Sequence, residues 1–213
     1  MKLRDQFQKG IYVVINPLVR LLIRLGLTPN MVTAIGALIS IGASGMVVYA
    51  GMEQRETNHL DTNVFTWAAI IMFVGCMFDM LDGQVARLGG MTTRFGAMLD
   101  SILDKYTEMV TLLAISFYFF AIDEDVWGGL TFFSTVGGIM VSYVRARAEG
   151  VGLECKVGFM QRPERIVVTC IGCLLTGLFS CIEILEWSMA FIALFANLTA
   201  LWRIDYCRRQ LKE

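Results

Sequence analysis

The chain has few residues that break helices and few that favour water. Only three prolines occur in 213 residues, Pro17, Pro29 and Pro163, and none interrupts a long apolar stretch. Charged residues make up 17% of the sequence, against roughly 25% in a soluble domain. No internal repeat or low-complexity segment is present, which excludes solenoids and compositionally disordered chains. The start of the chain does not read as a signal peptide, because Asp5 and Gln6 break the apolar core such a segment needs.

Apolar residues dominate instead. They make up 56% of the chain, and its mean hydropathy is +0.61. Several apolar stretches near twenty residues, each bounded by charge, mark an all-α integral membrane protein. Six spans are expected at about 31–52, 65–87, 95–121, 127–144, 165–183 and 186–206. Basic residues test that count. With both termini inside, sixteen of the eighteen Lys and Arg residues fall on inner segments, from Lys2 and Arg4 to Arg209 and Lys212. The outer loops hold only Arg55, and Lys105 lies within a span. This is the positive-inside bias, and five or seven spans would scramble it. The loops leave no room for an extramembrane domain, so one domain is expected over 1–213. A net charge of −1 says little about partners; membrane lipids are expected and nucleic acid is not.

The segment "IYVVINPLVRLLIRL" precedes the first span. Arg20 and Arg24 stack one turn apart beside an apolar face. An amphipathic helix lying in the inner interface is therefore expected over about 8–26, with Gly26 ending it. In "LTPNMVT", Asn30 reads as an N-cap of the first span. Asn30 and Thr33 can serve as caps, as ligand contacts or as both, because free amides at a helix N-terminus attract phosphate. Most of the six cysteines fall inside spans, where a thiol packs as a small apolar group. Cys170 and Cys173 form a CxxC without further ligands and are read as packing residues.

The stretch "DMLDGQVARLGGMTTRFGAMLDSILD" departs from this apolar pattern. Asp79 and Asp82 are i, i+3 near the inner end of the second span. Asp100 and Asp104 are i, i+4 near the inner end of the third. Antiparallel helices joined by a short loop can bring the two pairs together. Left uncompensated, each carboxylate costs on the order of 3 kcal/mol in a membrane. A divalent cation with oxygen ligands is the natural counter-charge. Gly83 and Gly96 leave room for close approach, and Arg87 can fork onto phosphate oxygens. Proton or ion transport is the competing reading, but a transport path crosses the bilayer and these groups crowd one edge.

The pattern Asp79-x2-Asp82-Gly83-x2-Ala86-Arg87-x8-Gly96-x3-Asp100-x3-Asp104 resembles the signature of the CDP-alcohol phosphotransferase family at every fixed position. That family also has six spans and a preceding interfacial helix. The resemblance implies that Asp79, Asp82 and Asp100 ligate metal, and that Asp104 is the general base and touches the metal. The metal implied is magnesium, two ions, with manganese as the alternative. Asn30, Thr33, Asp79, Gly83, Arg87 and Thr93 are implied contacts to CDP-diacylglycerol. A homodimer in the cell membrane, with its active site facing the cytoplasm, is also implied. Glu108, one turn beyond Asp104, is assigned to structure.

The acceptor alcohol is read from "SYVRARAEGVGLECKVGFMQRPERIVV". Arg147 and Lys156 read as positive-inside charge. In "RPER", Pro163 suits a helix start that displays Arg162 and Arg165 beside free amides. Such a cluster suits a phosphate dianion on a soluble acceptor. The loop resembles that of the family branch using inositol phosphate, which implies Arg145, Arg162, Arg165 and Arg203 as the acceptor pocket. The expected reaction is transfer of a phosphatidyl group to 1D-myo-inositol 1-phosphate with release of CMP. Glycerol 3-phosphate as acceptor is the alternative within the family.

Overall fold

The computed structural model describes residues 15–211, which contain seven helices and no strand. Helix α1 covers 15–24. It is followed by α2 (Pro29–Thr57), α3 (Asn63–Leu88), α4 (Arg94–Ala121), α5 (Asp125–Gly150), α6 (Arg162–Phe179) and α7 (Glu183–Gln210). A helix lies over each of the six apolar stretches, but only α2, α3, α5 and α7 are long and apolar enough to be candidate spans by length and composition. Charge explains the difference. α4 carries Arg94, Asp100, Asp104, Lys105 and Glu108 along one half, and the 18-residue α6 opens on Arg162, Glu164 and Arg165. α6 also stops earlier than the expected 183, at Ser180, whose left-handed backbone (φ 50°) caps the helix.

The main helix contacts form a closed ring. α2 packs on α3, α3 on α6, α6 on α7, α7 on α5, α5 on α4, and α4 back on α2. α4 and α6 therefore face each other across the inside of the ring. At one end the ring is filled by an apolar core that includes Phe65, Tyr118, Phe119, Met189 and Ile192. Phe65 and Tyr118 meet edge to face at 4.9 Å, and the Tyr118 hydroxyl donates to Gln54 Oε1 at 2.8 Å. The outward faces carry large exposed apolar side chains such as Leu38, Trp67, Phe73, Phe133 and Leu194, as a lipid-facing surface requires.

The α2–α3 crossing depends on glycine. A Cβ at Gly36 would lie 2.8 Å from Phe78 Cβ, and one at Gly75 would lie 3.0 Å from the Gly36 carbonyl oxygen. No larger residue allows the two backbones to approach this closely.

The described part of the expected interfacial helix is α1; residues 8–14 lie outside the described residues. Ile15, Val19 and Leu22 pack on Val32, Leu81 and Val85, while Leu18, Arg20, Leu21 and Arg24 are exposed. Gly26, at φ +77°, ends α1, with Gly26 N–H donating to Ile23 O and Leu27 N–H to Leu22 O. The cap of α2 corrects the sequence reading. Thr28, not Asn30, takes the N-cap position and accepts from Met31 N–H, and Pro29 begins the helix. Asn30 lies one residue further in, free to face α4.

Candidate active site

Four helices converge where the apolar core ends. Asp79 and Asp82 project from the last turns of α3, and Asp100 and Asp104 from the early turns of α4. Gly89 and Gly90 turn the chain between them, Gly90 at φ +64°. Thr93 starts α4 as its N-cap, accepting from Gly96 N–H at 2.9 Å. The hairpin brings the carboxylates together. Asp79, Asp82 and Asp100 each offer an oxygen within 4.8 Å of the other two. Asp82 is buried, and Thr33 on α2 donates to its Oδ2 at 2.5 Å. Thr33 also donates to Pro29 O, so the first turn of α2 fixes one wall of the cluster.

The fourth carboxylate lies apart from the three. Both terminal nitrogens of Arg162, at the start of α6, pair with Asp104 across the inside of the ring. The same guanidinium reaches Asp79 Oδ2 at 3.3 Å. One turn deeper Arg165 pairs with Glu108, whose second oxygen accepts from Lys105 Nζ at 2.6 Å. Arg165 Nη1 also donates to Met160 O at 3.0 Å, and Lys105 Nζ to Gly138 O at 3.2 Å. A Cβ at Gly138 would sit 2.9 Å from Glu108 Oε1, so α5 closes over this pair only because residue 138 is glycine. Glu108 thus has the structural setting assigned to it from sequence. The partner role of Lys105 was missed, although its i, i+3 spacing from Glu108 on an apolar helix was a visible signal.

A cavity of about 60 Å³ opens between α2, α3, α4 and α6. Asp79, Asp104, Arg162 and Arg165 line it together with Thr33 and Thr169. Buried atoms without a hydrogen-bond partner include Asp100 Oδ1 in the carboxylate cluster, and Arg165 Nη2 and Arg162 Nε on residues that line the cavity. A buried orphan acceptor and a buried orphan donor are rare enough to point to a cation and an anion respectively. Three hard carboxylates around an orphan oxygen fit a divalent cation of the magnesium or manganese kind.

The other expected contacts are distributed around the mouth. A Cβ at Gly96 would lie 3.1 Å from Asn30 Oδ1, so Asn30 faces the start of α4. Exposed Arg87 folds back over Gly83, its Nη2 3.5 Å from where a Cβ would stand. The four arginines expected to form the acceptor pocket occupy different settings. Arg162 sits on the aspartates and Arg165 on Glu108. Arg203 is buried and donates to Val157 O at 2.7 Å and Val141 O at 2.6 Å, holding the 151–161 loop against α7 and α5. Arg145 is half-buried and pairs with Glu149 one turn along at 2.9 Å. Of the four, only Arg162 and Arg165 line the cavity.

A ring of apolar helices enclosing acidic and basic groups at one end defines a membrane enzyme acting on a charged, lipid-linked substrate. The chain belongs to the CDP-alcohol phosphatidyltransferase family, whose profile matches residues 26–201. It is 32% identical to the phosphatidylinositol phosphate synthase of Corynebacterium glutamicum over 86% of this chain and 80% of that protein. It is also 32% identical to the archaetidylinositol phosphate synthase of Pyrococcus horikoshii over 88% of this chain and 87% of the other. Among solved structures, it resembles Mycobacterium tuberculosis phosphatidylinositol phosphate synthase with CDP-DAG bound, at 28% identity and TM-score 0.76, covering 90% of this chain and 92% of that one. The same enzyme in complex with manganese and citrate matches at 27% identity and TM-score 0.77, covering 90% and 88%.

Proposed function

We propose that the chain transfers a phosphatidyl group from CDP-diacylglycerol to 1D-myo-inositol 1-phosphate, releasing CMP. The observation that carries the reading is the three-carboxylate cluster whose Asp79 lines the same cavity as Arg165, with its buried, unsatisfied donor. The first suits the diphosphate of a CDP-lipid through a cation, and the second suits a phosphate on the acceptor. The names of the curated relatives and the CDP-DAG and manganese complexes of the structural neighbour support both halves.

In this reading Asp79, Asp82 and Asp100 hold magnesium, as two ions, with manganese able to replace it. When bound, the metal neutralises diphosphate oxygens and the departing CMP. Thr33 keeps Asp82 oriented by donating to its Oδ2. Asn30, Gly83, Arg87 and Thr93 border the nucleotide, with Arg87 supplying a fork for phosphate oxygens. Asp104 accepts the proton of the acceptor hydroxyl as its oxygen bonds to the phosphorus bearing the diacylglycerol. The bond from that phosphorus to the CMP oxygen breaks on the opposite side, and CMP carries away the electron pair. Arg165 and Arg162 receive the acceptor phosphate, while Arg203 and Arg145 add positive field around it.

All six long helices span the bilayer in this reading, α4 and α6 included. Their charged ends lie in the ring interior at the cytoplasmic edge of the cell membrane, and two copies associate as a dimer. Purified protein supplied with CDP-diacylglycerol and magnesium tests the reaction. CMP release that depends on inositol 1-phosphate is expected. Release with glycerol 3-phosphate alone selects the other acceptor, and no release with either sinks the proposal.

A further inference from the structure

We infer that Arg162 is a built-in counter-ion that holds the aspartate cluster in the absence of the divalent cation and competes with that cation for it. The inference rests on the reading that Asp79, Asp82 and Asp100 bind the cation. Its ground is the position of one guanidinium. Arg162 forks onto both oxygens of Asp104 and reaches Asp79 at 3.3 Å. Asp79 is also one of the three carboxylates that share the 4.8 Å cluster. A divalent cation drawn to the cluster and the guanidinium on Asp79 therefore seek the same carboxylate, as like charges a few ångströms apart.

Arg162 and Arg165 stand three residues apart on one helix, yet their settings differ. Arg165 is 1% exposed and fixed by Glu108 and a backbone carbonyl, with Gly138 closing over it. Arg162 is 28% exposed at its side chain and lies on the cavity wall. Its Nε is buried and has no partner, so its present position leaves it incompletely satisfied. The deeper pair anchors α6 to α4, and Arg162 exchanges partners by turning its own side chain while the helix stays in place.

Two consequences follow. Without metal, the membrane-edge carboxylates retain a positive partner, which reduces the cost of holding them there. With metal, displaced Arg162 frees Asp104 and turns its fork towards an anion in the cavity. Cation and acceptor phosphate then bind with positive, reciprocal coupling. Arg162 is thus a positioning residue that sets metal affinity as well as an anion ligand.

Direct binding of Mn²⁺ to the purified full chain, followed by the EPR signal of the free ion with no substrate present, separates the outcomes. Arg162→Gln is expected to bind Mn²⁺ about tenfold more tightly than wild type, the scale of one removed like charge under partial screening. Arg162→Lys, a single ammonium that cannot fork onto two carboxylates, is expected to fall between the two. Unchanged or weaker Mn²⁺ binding by Arg162→Gln overturns the inference. If that variant fails to fold, Arg162→Lys decides alone, and affinity equal to or below wild type overturns it. Asp100→Asn keeps the two readings distinct. It is expected to lose Mn²⁺ binding, and if it retains full affinity the metal-site reading itself fails.

Discussion

The carboxylates at the ring's open end divide into two sets, and the division sets different expectations for their removal. Asp79, Asp82 and Asp100 cluster within 4.8 Å, whereas Asp104 stands beside them facing the cavity on the arm of Arg162. Asp104→Asn keeps the shape and the cluster but removes a proton acceptor. Turnover is expected to fall by roughly 10²- to 10⁴-fold, the usual contribution of a general base, while CDP-diacylglycerol still binds. Single-turnover CMP release together with a lipid-binding titration checks both halves, and lost lipid binding would place Asp104 in the nucleotide site instead. The aspartates were legible in the sequence because acids one turn apart on apolar helices have few other uses. The partners of the arginines were not. Arg162, Arg165 and Arg203 share one charge, and the first two share one short stretch of sequence, yet each finds a different acceptor. Those acceptors, Asp104, Glu108 and the carbonyls of Val141 and Val157, lie 46 to 62 residues away in all four contacts, 57 or 58 in the two ion pairs. Only folding around the ring brings them together.

Among helices, hydropathy revealed where each element lies but not how strongly each is apolar. α4 and α6 fall below the other four because their charged turns face the ring interior, where windowed averages cannot tell an inward carboxylate from one facing lipid. Short-range signals divided in the same way. Gly26 marked the end of α1, since a left-handed residue there is a local need. The α2 cap went to Thr28 because Pro29, with no N–H to satisfy, takes the first helical position and moves the cap back one residue from it. The α2–α3 crossing carries a prediction. Gly36 and Gly75 let α2 approach until Thr33 meets Asp82. In Gly75→Val the new side chain collides with Ser40 and the Gly36 carbonyl, forcing the helices apart. Overpacking of this kind costs about 1–3 kcal/mol. A lowered thermal midpoint in detergent and weakened Mn²⁺ binding are both expected. A lowered midpoint with unchanged Mn²⁺ affinity would mean that the crossing supports the fold without aligning the site.

At the scale of the whole molecule, the polar end of the ring must lie where a water-soluble acceptor and a membrane lipid can both reach it. If α3, α4 and α5 all cross, as proposed, the 58–62 turn between α2 and α3 and the 151–161 loop between α5 and α6 fall on opposite sides of the bilayer. Basic residues gather around the second and are scarce around the first, which supports the proposed position of the 151–161 loop inside. Exposed residues are available for labelling on both, His59 in the first and Lys156, 64% exposed at its side chain, in the second. With the six native cysteines replaced, His59→Cys should react with a membrane-impermeant maleimide added to intact cells. Lys156→Cys should react only after the membrane is opened. If both label from outside, one of the three intervening helices does not cross. α4 would be the first suspect, since its charge between Arg94 and Glu108 is what separates it from the four helices that qualify on composition alone. If the two positions exchange accessibility, the aspartates face the outside, and the proposed cytoplasmic active site is overturned.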